Sequence, residues 1–254
     1  MADLERAVFL SDVDVIPSGD WSRFYFGAEF CPWRFPSTSR LAQFIQNAHQ
    51  SGLPATIATP VLNETFLPRF KKQIAELLPL LDKDDEILAS DLGTIRIVRQ
   101  LSTTTTVVAG RVLSGQKRGP RILDLDLRDS EQLYFRQGRW YQSDNRKYLK
   151  EQGVDRVELD NLLQGVASIP EPLVGSLHVP YAMVTSSRNC PARPAGSYGP
   201  CSGGCDDVFK LTTPQTQVAL YQTGNTQFLH NPDPPENLLS LHINRLVEHQ
   251  ILPR

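Results

Sequence analysis

"RFYFGAEFCPWRFPSTSRLAQFIQNAHQSGLPATIATP", residues 23–60, is the stretch that decides the fold. It opens on an aromatic, strand-like run (23–30). Leu41, Phe44, Ile45 and Ala48 then recur at helical spacing, with Ser37 or Thr38 placed to cap the helix and Gly52 to stop it. "ATIATPVL" (55–62) returns to a β-rich run. Strand, helix and strand at this period form a βαβ unit, whose crossover makes the two strands parallel.

The unit repeats. A helix carrying Phe70, Ile74, Leu77, Leu78 and Leu81 leads to the short strand "EILAS" (86–90). Asp91 is placed to cap the next helix, along which Leu92, Ile95, Val98 and Leu101 align. "TTVVAGRVL" (105–113) follows as another strand. This alternation predicts an α/β protein with a parallel β/α barrel-like architecture, similar to a TIM barrel, although no opening strand declares itself before residue 23. Beyond residue 113 the pattern loosens. Residues 114–147 read as a loop-rich excursion, "VDRVELD" (154–160) as a strand, and 175–188 as one long β segment. Short strands flank a Gly224-Asn225 turn, and Leu239, Ile243, Leu246 and Val247 suggest a closing helix over about 235–250. Without repeats or a low-complexity linker, residues 1–254 read as one domain with a cysteine-rich loop at 188–206.

Bulk properties exclude several functions. Of 254 residues, 40% are hydrophobic and 21% charged, and the net charge is −2, so nothing global attracts nucleic acid. No apolar run approaches the roughly 20 residues of a membrane span, and the first residues lack the basic start of a signal peptide. A cytoplasmic location is expected. There is no G-x-x-x-x-G-K-[ST] and no G-x-G-x-x-G for a nucleotide, and no G-x-S-x-G for a serine hydrolase. Arg111, Lys117, Arg118 and Arg121 crowd into "RVLSGQKRGPR", which reads as a solvated loop tip, so RNA binding is not expected.

The four cysteines carry the chemistry. Cys190, Cys201 and Cys205 share one Gly/Pro-rich loop, and Cys31 lies far upstream at the end of the first strand-like run. In parallel α/β folds functional groups collect where strands end, so one rim could gather all four if the sheet closes. In a reducing compartment such a cluster points to metal rather than disulfides. The spacing Cys190-x10-Cys201-x3-Cys205 is irregular for a zinc site, which usually shows close Cys pairs, and suits an iron–sulfur cluster. Glycines 196, 199, 203 and 204 would let backbone wrap it. Structural zinc in a scaffold protein stays open as the alternative. Glu29, Asp91 and His178 are candidate catalytic residues, each at or near a strand. Arg34, Arg188 and Arg193 flank cysteines, where positive charge favours thiolates.

"YFGAEFCPWR" (25–34), "LASDLG" (88–93), "VAGRVL" (108–113) and "SSRNCPARP" (186–194) followed by C-x3-C resemble, in that order, the collagenase-like peptidase family. The likeness is to its UbiU/UbiV-like branch. It implies a barrel-like fold and a 4Fe–4S cluster on Cys31, Cys190, Cys201 and Cys205. It also implies a heterodimer with a paralogous partner and oxygen-independent hydroxylation of a small aromatic or prenylated substrate, as in ubiquinone biosynthesis. Other branches act as peptidases or modify RNA; the tighter cysteine signature of the classical peptidases is not visible here.

Overall fold

The computed structural model describes residues 4–194, 197, 199–201, 205 and 207–253. Eight parallel strands close into a barrel, in the circular order β1 (Glu5–Phe9), β2 (Arg23–Gly27), β3 (Ala55–Ala58), β4 (Glu86–Ala89), β5 (Thr106–Ala109), β6 (Arg156–Asp160), β7 (Val174–Val179) and β12 (Ile243–His249). A second sheet is antiparallel, ordered β8 (Tyr181–Ser186), β11 (Thr226–His230), β10 (Thr216–Thr223), β9 (Val208–Thr213). Helices α1 (Thr38–Gln50), α2 (Leu67–Leu77) and α3 (Leu92–Leu101) connect successive barrel strands, as the alternation predicts.

Packing follows from the two faces of each strand. Outward residues such as Phe24, Phe26, Ile57, Ile87 and Val107 join Leu41, Phe44, Ile74 and Val98 of the helices in one large core. Each such side chain, fully buried, contributes about 1.5–3 kcal/mol. Ser37 caps α1 by accepting from the Arg40 amide at 3.3 Å. Asp91 caps α3 by accepting from the Thr94 amide at 2.7 Å.

Four elements depart from expectation. The opening strand exists: β1 lies in "ERAVF" and pairs with both β2 and β12. The expected C-terminal helix is instead a 3-10 turn (Leu238–Leu241) followed by β12, whose burial alternates from Ile243 to His249. A closed barrel needs a strand between β7 and β1, and that pairing decides the conformation over helical spacing. The long β segment breaks at Pro180 into β7 in the barrel and β8 in the second sheet. The 114–147 excursion contains α4 (Asp129–Arg136) and α5 (Ser143–Glu151). The Gly224-Asn225 turn joins β10 and β11 as read from the sequence. Among the described residues, no helix is long and apolar enough to cross a membrane.

Candidate functional site

The cysteines line a cavity above the rim of the barrel. Cys31 follows β2 and opens the 3-10 turn Pro32–Arg34, whose Arg34 amide donates to the Cys31 carbonyl at 3.1 Å. Cys190 follows β8, and Cys205 precedes β9. Cys31, Cys190, Cys201 and Cys205, all half-buried, line one cavity of about 430 Å³ together with Arg34, Arg188 and Arg193. Gly196, Gly203 and Gly204 lie outside the described residues.

The route differs from the one the sequence suggests. Adjacent barrel strands do not bring Cys31 to Cys190, because β2 neighbours β1 and β3 while Cys190 follows a strand of the second sheet. That sheet folds over the rim instead. Asn225, in the β10–β11 turn, donates through Nδ2 to the carbonyls of Phe30 and Ser187, both at 3.0 Å. One side chain thus ties the residue before Cys31 to the segment leading to Cys190. On the turn's other side, a Cβ at Gly224 would stand 3.3 Å from the Cys205 sulfur.

Burial pushes the Cys31 thiol up from its usual range, and the charges of Cys205 and Cys190 push the same way. Backbone hydrogen bonds from Trp33 and Arg34 partly offset this. Arg34 donates through Nη1 to the Cys205 sulfur at 3.4 Å. Arg193 is turned back on its own loop, donating to the Gly199 carbonyl at 2.5 Å. Among the described residues, no three thiols lie within the 4.8 Å shared by the ligands of a single ion.

A second cluster sits in the mouth of the barrel. Glu29, two residues before Cys31, is buried and held by Arg111, whose Nε stands 3.0 and 3.1 Å from its oxygens and whose Nη2 stands 2.6 Å from one of them. Arg111 also binds Asp160 at 3.0 Å, and Arg118 grips the other Asp160 oxygen at 2.7 Å. These arginines are therefore not a solvated tip. Arg111 is fully buried, stacked 5.1 Å over Phe30, and Arg118 is nearly so. Sequence reasoning missed this because the charges balancing Arg111 come from β6 and the end of β2, remote in the chain.

His178 on β7 and His249 on β12 complete the cluster. His178 Nδ1 lies 2.8 Å from His249 Nε2, and His178 Nε2 lies 2.6 Å from the Glu158 carboxylate. From Glu158 the chain of hydrogen bonds continues to the Tyr25 hydroxyl at 2.9 Å, to Arg245 at 2.7 Å, and on to Glu86 and Glu5. Burial would raise the Glu158 carboxyl, but the hydrogen bond and charge of His178, with Arg245, hold it down at about 2. Burial, reinforced by the charges of Arg111 and His178, takes His249 well below the usual imidazole range. One ligand atom from each of Glu29, His178 and His249 lies within 4.8 Å of the others, so this buried group could hold a metal ion. His249 escaped notice as a site residue because it was placed on a helix. Asp91 belongs to neither group: its two oxygens accept from the amides of Thr94 and Leu62.

Fold and site together define a β/α barrel with a thiol-lined cavity over its rim and a polar, charged interior. No protein-family model matches the chain, and no curated protein matches it. Among solved structures the chain is similar to the U32 peptidase Mk0906, at 11% identity and a TM-score of 0.53 over 100% of this chain and 96% of that one. At that identity the likeness is one of fold. It shows the barrel fold and does not single out the UbiU/UbiV-like branch.

Proposed function

We propose that the chain is an iron–sulfur protein, a subunit or accessory of an oxygen-independent hydroxylase that acts with a paralogous partner. The observation that carries this reading is the convergence of all four cysteines, from distant parts of the chain, on one cavity with three arginines. Thiolates are the ligands iron–sulfur clusters take, and neighbouring guanidiniums offset the negative charge such a cluster brings. Cys31, Cys190, Cys201 and Cys205 would hold a 4Fe–4S cluster, which supplies one-electron transfer. With every iron bound to a protein thiolate, substrate would be held by other groups or by the partner. The irregular spacing Cys190-x10-Cys201-x3-Cys205 favours a polynuclear cluster over tetrahedral zinc, whose cysteine ligands usually come as close pairs. The exposed edge strand β9, with Val208 and Phe209 open to solvent, offers a surface that a partner could cover.

Anaerobic purification tests the reading. A brown protein with about four irons and four sulfides per chain, colourless after Cys31→Ala, supports it. A colourless parent holding one zinc would instead make the chain a zinc scaffold. Hydrolysis of collagen-like peptides by the cluster-free chain would make it a peptidase.

A further inference from the structure

We propose that Glu29, His178 and His249 form a second site, separate from the cysteines, for one divalent first-row transition cation. The three residues reach the mouth of the barrel from the end of β2, from β7 and from β12, and all three are buried. Two imidazoles and one carboxylate within 4.8 Å make a ligand set typical of iron, zinc or manganese with coordination positions left open.

His178 is already oriented as a ligand. Its Nε2 is engaged by Glu158 at 2.6 Å, which turns Nδ1 toward His249. A carboxylate on the far nitrogen is the usual support of a metal-bound histidine, fixing its tautomer and raising its basicity. The two facing nitrogens, 2.8 Å apart, share a single proton between them. Two adjacent nitrogen ligands at about 2.0–2.1 Å from one ion stand about 3 Å apart, so a cation replaces that proton with little movement. Glu29 keeps ligand capacity despite Arg111, since each carboxylate oxygen carries two lone pairs and the guanidinium uses one edge.

Access agrees with a bound ion. Three buried carboxylates, Glu29, Glu158 and Asp160, face two guanidiniums, Arg111 and Arg118, in the upper part of the barrel. Below them Glu5 and Glu86 are matched by Arg23 and Arg245. Arg156 adds its charge to Glu158 and Glu86, so five carboxylates face five guanidiniums and the lining is balanced before any ion enters. A cavity of about 190 Å³, lined by Phe9, Glu29 and His249, gives an ion a way in and leaves room for a small oxygen-bearing ligand. Phe30 and Arg34 line both this cavity and the cysteine cavity, so the two sites would be neighbours.

The test removes the thiols first. In a full chain with Cys31, Cys190, Cys201 and Cys205 all changed to Ser, cobalt(II) should bind at one equivalent. The visible bands should be those of nitrogen and oxygen ligands, without thiolate charge transfer. His249→Ala should abolish this binding, and Glu158→Gln should weaken it about 10- to 100-fold. Absence of saturable binding, or binding undiminished in His249→Ala, overturns the proposal. A second readout needs no variant. Manganese(II), which prefers carboxylate and imidazole to thiolate, should broaden the imidazole resonances of His178 and His249 in the unmutated chain. Those of His49, His230 and His242 should stay sharp. Equal broadening of all five, or of none, also overturns it.

Discussion

Arg111→Met tests the account of the barrel interior most directly. Methionine nearly fills the space of the arginine stem but withdraws a charge that binds Glu29 through three contacts of 2.6–3.1 Å, Asp160 at 3.0 Å and the Tyr181 carbonyl at 3.0 Å. Glu29 and Asp160 are both buried, so neither carboxylate can turn to water for compensation. Breaking a buried pair by removing one partner costs about 3–5 kcal/mol, mostly because a charge is stranded. Against a total stability of about 5–15 kcal/mol that is a large fraction. The assay is urea unfolding followed by both tryptophan fluorescence and far-UV circular dichroism. Arg111→Met should lower the midpoint strongly, and adding Glu29→Gln should restore much of the loss, since the stranded charge is then gone while Asp160 keeps Arg118. A loss below about 1 kcal/mol, or a double variant no more stable than the single, would refute the reasoning.

Three further outcomes follow from the geometry. Because Glu158 titrates at about 2 when folded and near 4.5 when not, its contribution is complete above pH 4.5 and lost as pH falls toward 2; it amounts to about 3 kcal/mol. Acid unfolding curves should show that loss and Glu158→Gln should flatten it; parallel curves would count against the His178–Glu158 bond. Gly27→Ala places a Cβ 2.0 Å from the Ala58 carbonyl oxygen at a φ of +140°, so thermal unfolding should show a cost of at least about 3 kcal/mol, and an unaltered melting temperature would contradict the close approach of β2 to β3. Asn225→Ala removes the bonds to Phe30 and Ser187 and should cost about 1–3 kcal/mol in urea unfolding, with faster alkylation of Cys31; unchanged alkylation would mean the turn does not hold the cavity together.

The helices and strands of residues 23–113 were legible because each obeys a single rule. Leu41, Phe44, Ile45 and Ala48 meet the core at helical spacing, and β3 to β5 are short apolar runs. β12 was misread because two of its inward positions are Arg245 and His249, which hide a two-residue period, while Leu246 and Val247 imitate a helix. The same masking hid the site in the barrel's mouth. A buried Arg111 or Glu158 is tolerable only through partners on distant strands, and those pairings exist only once the barrel closes. β1 escaped notice because so short a strand, with Glu5 and Arg6 in its first two places, carries little apolar signal. The cysteines, by contrast, stood out through their scarcity, and all four line one cavity, although nothing in the sequence showed the second sheet that delivers three of them.

The order of that second sheet has a mechanical consequence. β8 and β9 occupy opposite edges, three strand spacings or about 14 Å apart, with Cys190 just past the one and Cys205 just before the other. Cys190 and Cys205, 15 residues apart in sequence, therefore belong to opposite edges of one sheet, while Cys31 is anchored on the barrel itself. Any group that joined them would act as a cross-link, and closing a loop of that size removes unfolded-chain entropy worth on the order of 3 kcal/mol. Such a link would tie the state of the thiols to the order of β9, the outer strand of the sheet.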